Sequence, residues 1–235
     1  MGVLDASRSR PVMCWKRYCG FSTQVRNGTC CRKAIRTTKL CIDAFNLGAV
    51  TRFCVWFLTD VANELRENGA LDEEECFIDA TFVMAKGGGS EIGPTKRGKG
   101  MKIMAIVDRH GLPLSISTHA ANHHEVRLVQ LCFDFYMIEA KPENLIGDRA
   151  YDSDPLDEEL RNDGIEMIAP HRSNRSKPPT QDRRRLSRYA RRWLVERFFA
   201  WIQWQRRILV RWEYHAQNFL GFVQLACLVV LFRRF

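Results

Sequence analysis

The feature that most constrains this chain is the run CFIDATFVMA, Cys76–Ala85, which is apolar and β-branched over the length of a strand and carries one carboxylate, Asp79, in its middle. A continuous apolar run of this length reads as a strand. An ionised carboxylate in such a strand is costly unless a cation or several hydrogen bonds meet it. Asp79 therefore needs a partner from elsewhere in the chain.

The segments around this run supply a frame for it. LTDVANELRENG has helical spacing at Leu58, Val61, Ala62 and Leu65 and stops at Gly69. MKIMAIVDRHGLPLSISTHAAN reads as two strands about a turn at Asp108–Gly111. HHEVRLVQLCFDFYMIEA reads as an amphipathic helix ending before Pro142, NLIGDRAY as a short strand, and DSDPLDEELRNDG as a helix with an early proline. IEMIAPH is another strand, SNRSKPPTQD a loop, and a long helical pattern begins near Arg183. Three strands in a meander, followed by alternating strands and helices, predict an α/β fold: a mixed five-stranded sheet with helices on both faces.

Composition narrows the function classes. With 235 residues and 46% hydrophobic content the chain can build a sizeable core. A net charge of +9 suits a polyanionic partner. Six of the nine cysteines precede residue 55, while Cys76, Cys132 and Cys227 sit singly in apolar surroundings and read as buried thiols. No secretory leader pattern is visible, so a reducing, cytoplasmic setting is expected. The apolar run FLGFVQLACLVVLF is interrupted by Gln224 and falls short of the roughly 20 residues of a membrane span, so it reads as a core helix.

Two further acids join Asp79 as candidates. Asp148, in LIGDRAYDS, ends a strand, where open sheets place their ligands. Glu196 lies in RYARRWLVERFFAWIQW; on a helix Tyr189, Arg192, Glu196 and Gln203 fall within an arc of about 60°, opposite Leu194, Phe198 and Ile202. Three carboxylates gathered by two strands and a helix would repel one another and call for divalent cations, with Mg²⁺ or Mn²⁺ suited to hard oxygen donors. Two such ions would serve an in-line phosphoryl transfer. The bland alternative is that Asp148 caps the next turn and Glu196 is a surface residue.

The motifs FIDATFVMAKGG, GDRAYDS and YARRWLVERFFAWIQWQRR resemble those of DDE transposases of bacterial insertion sequences, in the insertion-sequence-five group of the ribonuclease-H-like superfamily. The resemblance runs from about Leu58 to Phe235, and its signature of tyrosine, two residues, arginine, three residues and glutamate is met by Tyr189, Arg192 and Glu196. It implies a ribonuclease-H-like domain over 58–235, Asp79, Asp148 and Glu196 as the catalytic and metal-binding triad with two ions, and Tyr189 and Arg192 in supporting roles. It further implies hydrolysis of double-stranded DNA at element ends and strand transfer into a target by the freed 3′-hydroxyl, with the protein acting as a homo-oligomer on DNA and away from membranes. One departure is Gln203, where the signature has a basic residue; Arg206 and Arg207, a turn further on, are candidates to replace it. A different-class alternative is a non-catalytic DNA-binding protein derived from a transposase.

Nucleic-acid contacts are expected at two places. Between Arg172 and Arg192 nine Lys or Arg residues stand against one acid, Asp182, and Arg183, Arg184, Arg185 and Arg188 are the candidates there. The loop AKGGGSEIGPTKRGKGMK offers Lys96, Arg97 and Lys99, with glycines that allow close backbone approach. Arg149 and Arg206 complete the set. GPTKRGKG mimics a nucleotide-binding P-loop, but Gly100 replaces the hydroxyl residue and a strand follows, so that function is rejected. His119, His123 and His124 fit capping and loop packing better than a metal site, and the spacing of Cys14, Cys19, Cys30 and Cys31 fits no common zinc pattern.

The opening residues read differently. Back-translated with permissible codons and read one base earlier, VRNGTCCRKAIRTTKLCIDAF can become GAQWNMLPQSYPNYKTVHRRF, which is similar to the N-terminal domain of the same transposase group. Residues 1–57 are accordingly expected to be a remnant, with Trp15–Val55 translated out of frame, poorly folded, and leaving the enzyme defective in recognising its element ends.

Overall fold

The computed structural model describes residues 49–181 and 183–234. The expectations for the segment up to residue 48, including its cysteines and most of the out-of-frame stretch, lie outside the described residues, as does the side chain of Arg183.

The apolar run forms β1, Glu75–Ala85, at the centre of a mixed sheet. β2 (Gly93–Thr95), β3 (Gly98–Val107) and β4 (Pro113–Ala120) follow as antiparallel strands, with β3 paired to β1 across Asp79↔Ala105 and to β4 across Ala105↔Ile116. On the other side of β1, β5 (Asn144–Ile146) and β6 (Glu166–Ile168) run parallel. The expected five strands are present. Two short ones are added, β2 against the start of β3 and β7 (Val210–Arg211) against the end of β1, giving seven.

Both faces are covered. Helix α1 (Ala49–Glu67) buries Cys54, Leu58, Val61, Ala62 and Leu65, the spacing expected of an amphipathic helix. It begins nine residues before Leu58 and packs against the C-terminal helix. Helix α2 (Val129–Phe133) lies on the face of Cys76 and Ile106, where the Ser115 hydroxyl donates to the Cys132 carbonyl at 2.6 Å. Helix α3 (Asp154–Asn162) packs on β6. The segment after it carries α4 (Arg183–Leu186), a 3₁₀ turn (Ser187–Arg191) and α5 (Trp193–Gln203), and α5 crosses the opposite face of β1, where Gln203 donates to the Thr81 hydroxyl at 3.3 Å. Helices α6 (Arg206–Leu209) and α7 (Ala216–Phe232) complete the fold. Cys76, Cys132 and Cys227 are fully buried, as expected of isolated thiols in apolar surroundings.

Two expected elements take another form. The amphipathic segment after His124 is a 3₁₀ turn, Glu125–Leu128, running into the short α2, not one long helix. The edge of β4 ends it: Tyr136 bridges to Ser115, and the Met137 amide donates to the Leu114 carbonyl at 2.8 Å. The long helical pattern after Arg183 is broken at Trp204–Gln205, where the chain turns to add β7 to the sheet. Among the described residues no helix is long and apolar enough to cross a membrane.

Candidate active site

β1 and β5 run parallel, and Phe77 pairs with Ile146, so Asp79 and Asp148 each lie two residues beyond the last paired position on neighbouring strands. Gly147 carries the chain out of β5, packed so closely that a Cβ there would come within 2.7 Å of Tyr151 and Met167. Asp148 then caps the 3₁₀ turn Arg149–Tyr151, accepting from the Ala150 amide at 2.7 Å with one carboxylate oxygen. The capping role foreseen as the bland alternative is real, and it fixes the carboxylate beside Asp79.

Asp79 accepts from the Ala80 amide at 2.8 Å and from Arg192 at 2.9 Å. Burial pushes its carboxyl up to about 6; the Ala80 amide and Arg192 pull the other way, and the negative charges of Asp148 and Glu125 add to the rise. Arg192 stands at the N-cap of α5 and donates its second nitrogen to Glu196, one turn on, at 2.5 Å. Its guanidinium lies 5.8 Å from the Tyr189 ring centroid. Burial lowers the Arg192 pKa, but Asp79, Tyr189, Glu196 and Asp148 together raise it further, so it stays charged. Asp79 is 16% exposed and Glu196 54%, so the site grades from a sheltered floor to an open rim. Asp79 and Glu196 thus share the Arg192 guanidinium, Tyr189 flanks it, and Asp148 acts on it through charge.

Among the described residues no three acidic, histidine or cysteine side chains close into a metal-holding cluster. In kind, these oxygen donors suit a hard divalent cation: Asp79 and Asp148 end neighbouring strands and carry mutually unfavourable charge, and Arg192 supplies the compensating cation between Asp79 and Glu196.

Three participants escape a reading of spacing. Glu125, held by Lys102 at 2.9 Å, contributes to the field at Asp79. Tyr151 is fully buried, its hydroxyl has no hydrogen-bond partner among the described residues, and burial, then Glu125 and Asp79, push its pKa up. Thr81, two residues beyond Asp79 on the same face of β1, receives Gln203, which occupies the departed basic position of the signature. The alternation of β1 was the signal for Thr81; Glu125 and Tyr151 gave none.

The basic candidates divide. Arg185 pairs with Glu166, and Arg188 and Arg191 turn toward the buried Glu75, so part of that run is tied to the sheet edge. Arg184 is exposed on α4. Lys96, Arg97 and Lys99 are exposed around the β2–β3 turn, which leads into a strand with no helix behind it. Arg149 and Arg206 are also exposed. The glycines of the preceding loop approach the chain itself: Gly87 and Gly89 pack on the backbone of Trp212 and Tyr214.

Residues 71–231 match the family model of the transposase DDE domain. The chain belongs to that family. It is 31% identical over 146 residues to the protein assigned as the transposase of insertion sequence element IS402 from Burkholderia cepacia, an alignment covering 58% of this chain and 65% of that protein. The chain thus spans just under two thirds of that relative. Among solved structures it is similar to a piggyBac transposase in a synaptic complex with hairpin DNA, at 12% identity and a TM-score of 0.46, over 68% of this chain and 47% of that one.

Proposed function

We propose that the chain is the catalytic part of an insertion-sequence transposase that cuts DNA at element ends and joins the freed 3′-hydroxyl to a target, using Mg²⁺ or Mn²⁺ held by Asp79, Asp148 and Glu196. The observation that carries this reading is that Arg192 binds both Asp79 and Glu196, with the charge of Asp148 acting on the same guanidinium, in a chain of the DDE family. Bound divalent ions would supply a nucleophile at neutral pH and charge stabilisation on the leaving oxygen. The chain's own contributions are separate. Asp148 is fixed by its own cap, Asp79 is sheltered in β1, and Glu196 stands at the open rim. Arg192 ties Asp79 to Glu196, and ions held by those acids would free its guanidinium to meet a DNA phosphate, with Tyr189 beside it. The exposed Lys96, Arg97, Lys99, Arg149, Arg184 and Arg206 supply sequence-independent phosphate contacts, with Arg183, Arg185 and Arg188 as further candidates.

A non-catalytic DNA-binding derivative is the second reading, because the acids are closed on Arg192 in the absence of a three-ligand cluster among the described residues. Cleavage of a plasmid bearing the gene and its flanks, in the presence of Mn²⁺, separates the two. Asp79→Asn, Asp148→Asn and Glu196→Gln should each lower cleavage by more than about a hundredfold, beyond the loss seen for outer-shell changes, while DNA affinity stays close to that of the unaltered chain. Cleavage by Asp148→Asn at the unaltered rate would refute the triad, and no metal-dependent cleavage by the unaltered chain would favour the derivative.

A further inference from the structure

The segment that follows α6 is fixed by an elaborate set of contacts whose outcome is two aromatic rings in solvent. After β7 pairs with Met84 and Ala85, the side chains alternate: Arg211 and Glu213 point inward, Trp212 and Tyr214 outward, as extended chain requires. Arg211 is fully buried and donates to the carbonyls of Glu213 at 2.8 Å, Ser90 at 2.9 Å and Tyr214 at 2.7 Å. Glu213 pairs with Arg207 at 2.7 Å and accepts from the Trp212 amide at 3.1 Å. From the other side the loop after β1 closes on the same backbone: a Cβ on Gly87 would lie 2.0 Å from the Trp212 carbonyl oxygen, and one on Gly89 1.8 Å from that of Tyr214. A buried arginine and two glycines therefore hold this backbone rigid, yet Trp212 is 55% and Tyr214 64% exposed.

Charge surrounds the rings. The Lys86 ammonium lies 5.5 Å from the Trp212 ring centroid. Lys96, Arg97 and Lys99 stand exposed at the same end of the sheet, since Gly100 pairs with Met84. Rigid exposed aromatics among cations suit a ligand with flat apolar faces strung on a polyanion. Single-stranded DNA has both. In a duplex the base faces are hidden in the stack, so such a surface distinguishes the two forms.

We propose that Trp212 and Tyr214 form a stacking platform for unpaired bases of single-stranded DNA, with Lys86 and the β2–β3 turn taking the phosphates. This rests on the DNA-processing function proposed above and adds to it a second place at which DNA is held. Ala85 lies six positions after Asp79 on β1, about 20 Å along a strand. The platform therefore holds an unpaired strand running to or from the carboxylates, not the reacting bond.

The test is equilibrium binding of the full chain, without divalent cations, to a short labelled thymidine homopolymer and to a duplex of the same length. The double substitution Trp212→Ala with Tyr214→Ala should weaken single-strand binding by about ten- to a hundredfold, the range for one or two stacked bases, and change duplex affinity by less than about twofold, since duplex binding rests on phosphate contacts elsewhere. Trp212→Phe should retain single-strand affinity and Trp212→Leu, apolar but without a π-face, should lose it. An unchanged melting temperature is expected because the fold is held by the backbone of this segment and not by its rings. Equal losses for both DNA forms, unchanged single-strand binding, or retention by Trp212→Leu would overturn the platform while leaving the transposase function standing. A fall in mass from dimer to monomer on the double substitution, with single-strand binding intact, would overturn it in favour of a protein–protein face. Failure of the unaltered chain to bind either DNA would overturn it together with the DNA-processing function.

Discussion

A carboxylate is tolerated at position 79 because the Ala80 amide and the Arg192 guanidinium both donate to it, so the cost of burial noted from the sequence is offset in part from the backbone and from α5. Its need for a partner was legible from the apolar run alone. The identity of that partner as a residue of the same signature, shared with Glu196, was not, since spacing places Arg192 and Glu196 on one helix edge without saying which strand they face. Asp157 shows a different balance. Burial, then Asp154 and Asp152, push its carboxyl up to about 6 against the pull of Arg161 and Arg175. A folded-state pKa above the usual 3.8 favours folding at pH values below 3.8, and that contribution is lost as pH rises through 6. Asp157→Asn, neutral throughout, should therefore stabilise the protein by up to about 1 kcal/mol at pH 8, after allowance for solvent screening of a half-exposed group, and by nothing at pH 3.5. Melting temperatures at the two pH values check this, and an equal gain at both would contradict it.

At the scale of elements, those with local signals were legible: β1 from its continuous apolar run, the β3–β4 hairpin from the turn at Asp108–Gly111, and α3 from its early proline and following glycine. The Asp108 carboxylate fastens that turn by accepting from the amides of His110 and Leu112 at 2.9 and 2.7 Å. The failures have tertiary causes. Nothing in FDFYMIEA marks where β4 captures Tyr136 and Met137, and WQRRILVRWEYH has no proline or glycine to announce that Gln205 takes an extended conformation and that Val210 joins the sheet. Helix α1 was legible because Leu58, Val61, Ala62 and Leu65 repeat at helical spacing, and these residues are buried in the core. Leu65→Ala should cost about 2–5 kcal/mol through lost burial and a residual cavity, measured by denaturant unfolding at constant slope. A loss under about 1 kcal/mol would mean that α1 is not part of the cooperative unit.

For the whole molecule, the charge of +9 pointed to a polyanionic partner, and the family match over residues 71–231 is to a transposase domain. Part of the positive charge is occupied at home, as in the pairing of Arg185 with Glu166 and of Arg191 with Glu75, which a count of basic residues cannot reveal. The expectation that Trp15–Val55 is out of frame remains a proposal about the gene, to be read from its codons. The central claim concerns the acids around Arg192. Calorimetric titration of Mn²⁺ into the full chain bound to duplex DNA tests it most directly, because it reads the metal site without requiring turnover. The account predicts binding of two ions per chain that is weakened by more than about tenfold in Asp148→Asn and in Glu196→Gln; Mn²⁺ binding of the same stoichiometry and affinity in both variants and the unaltered chain would contradict it.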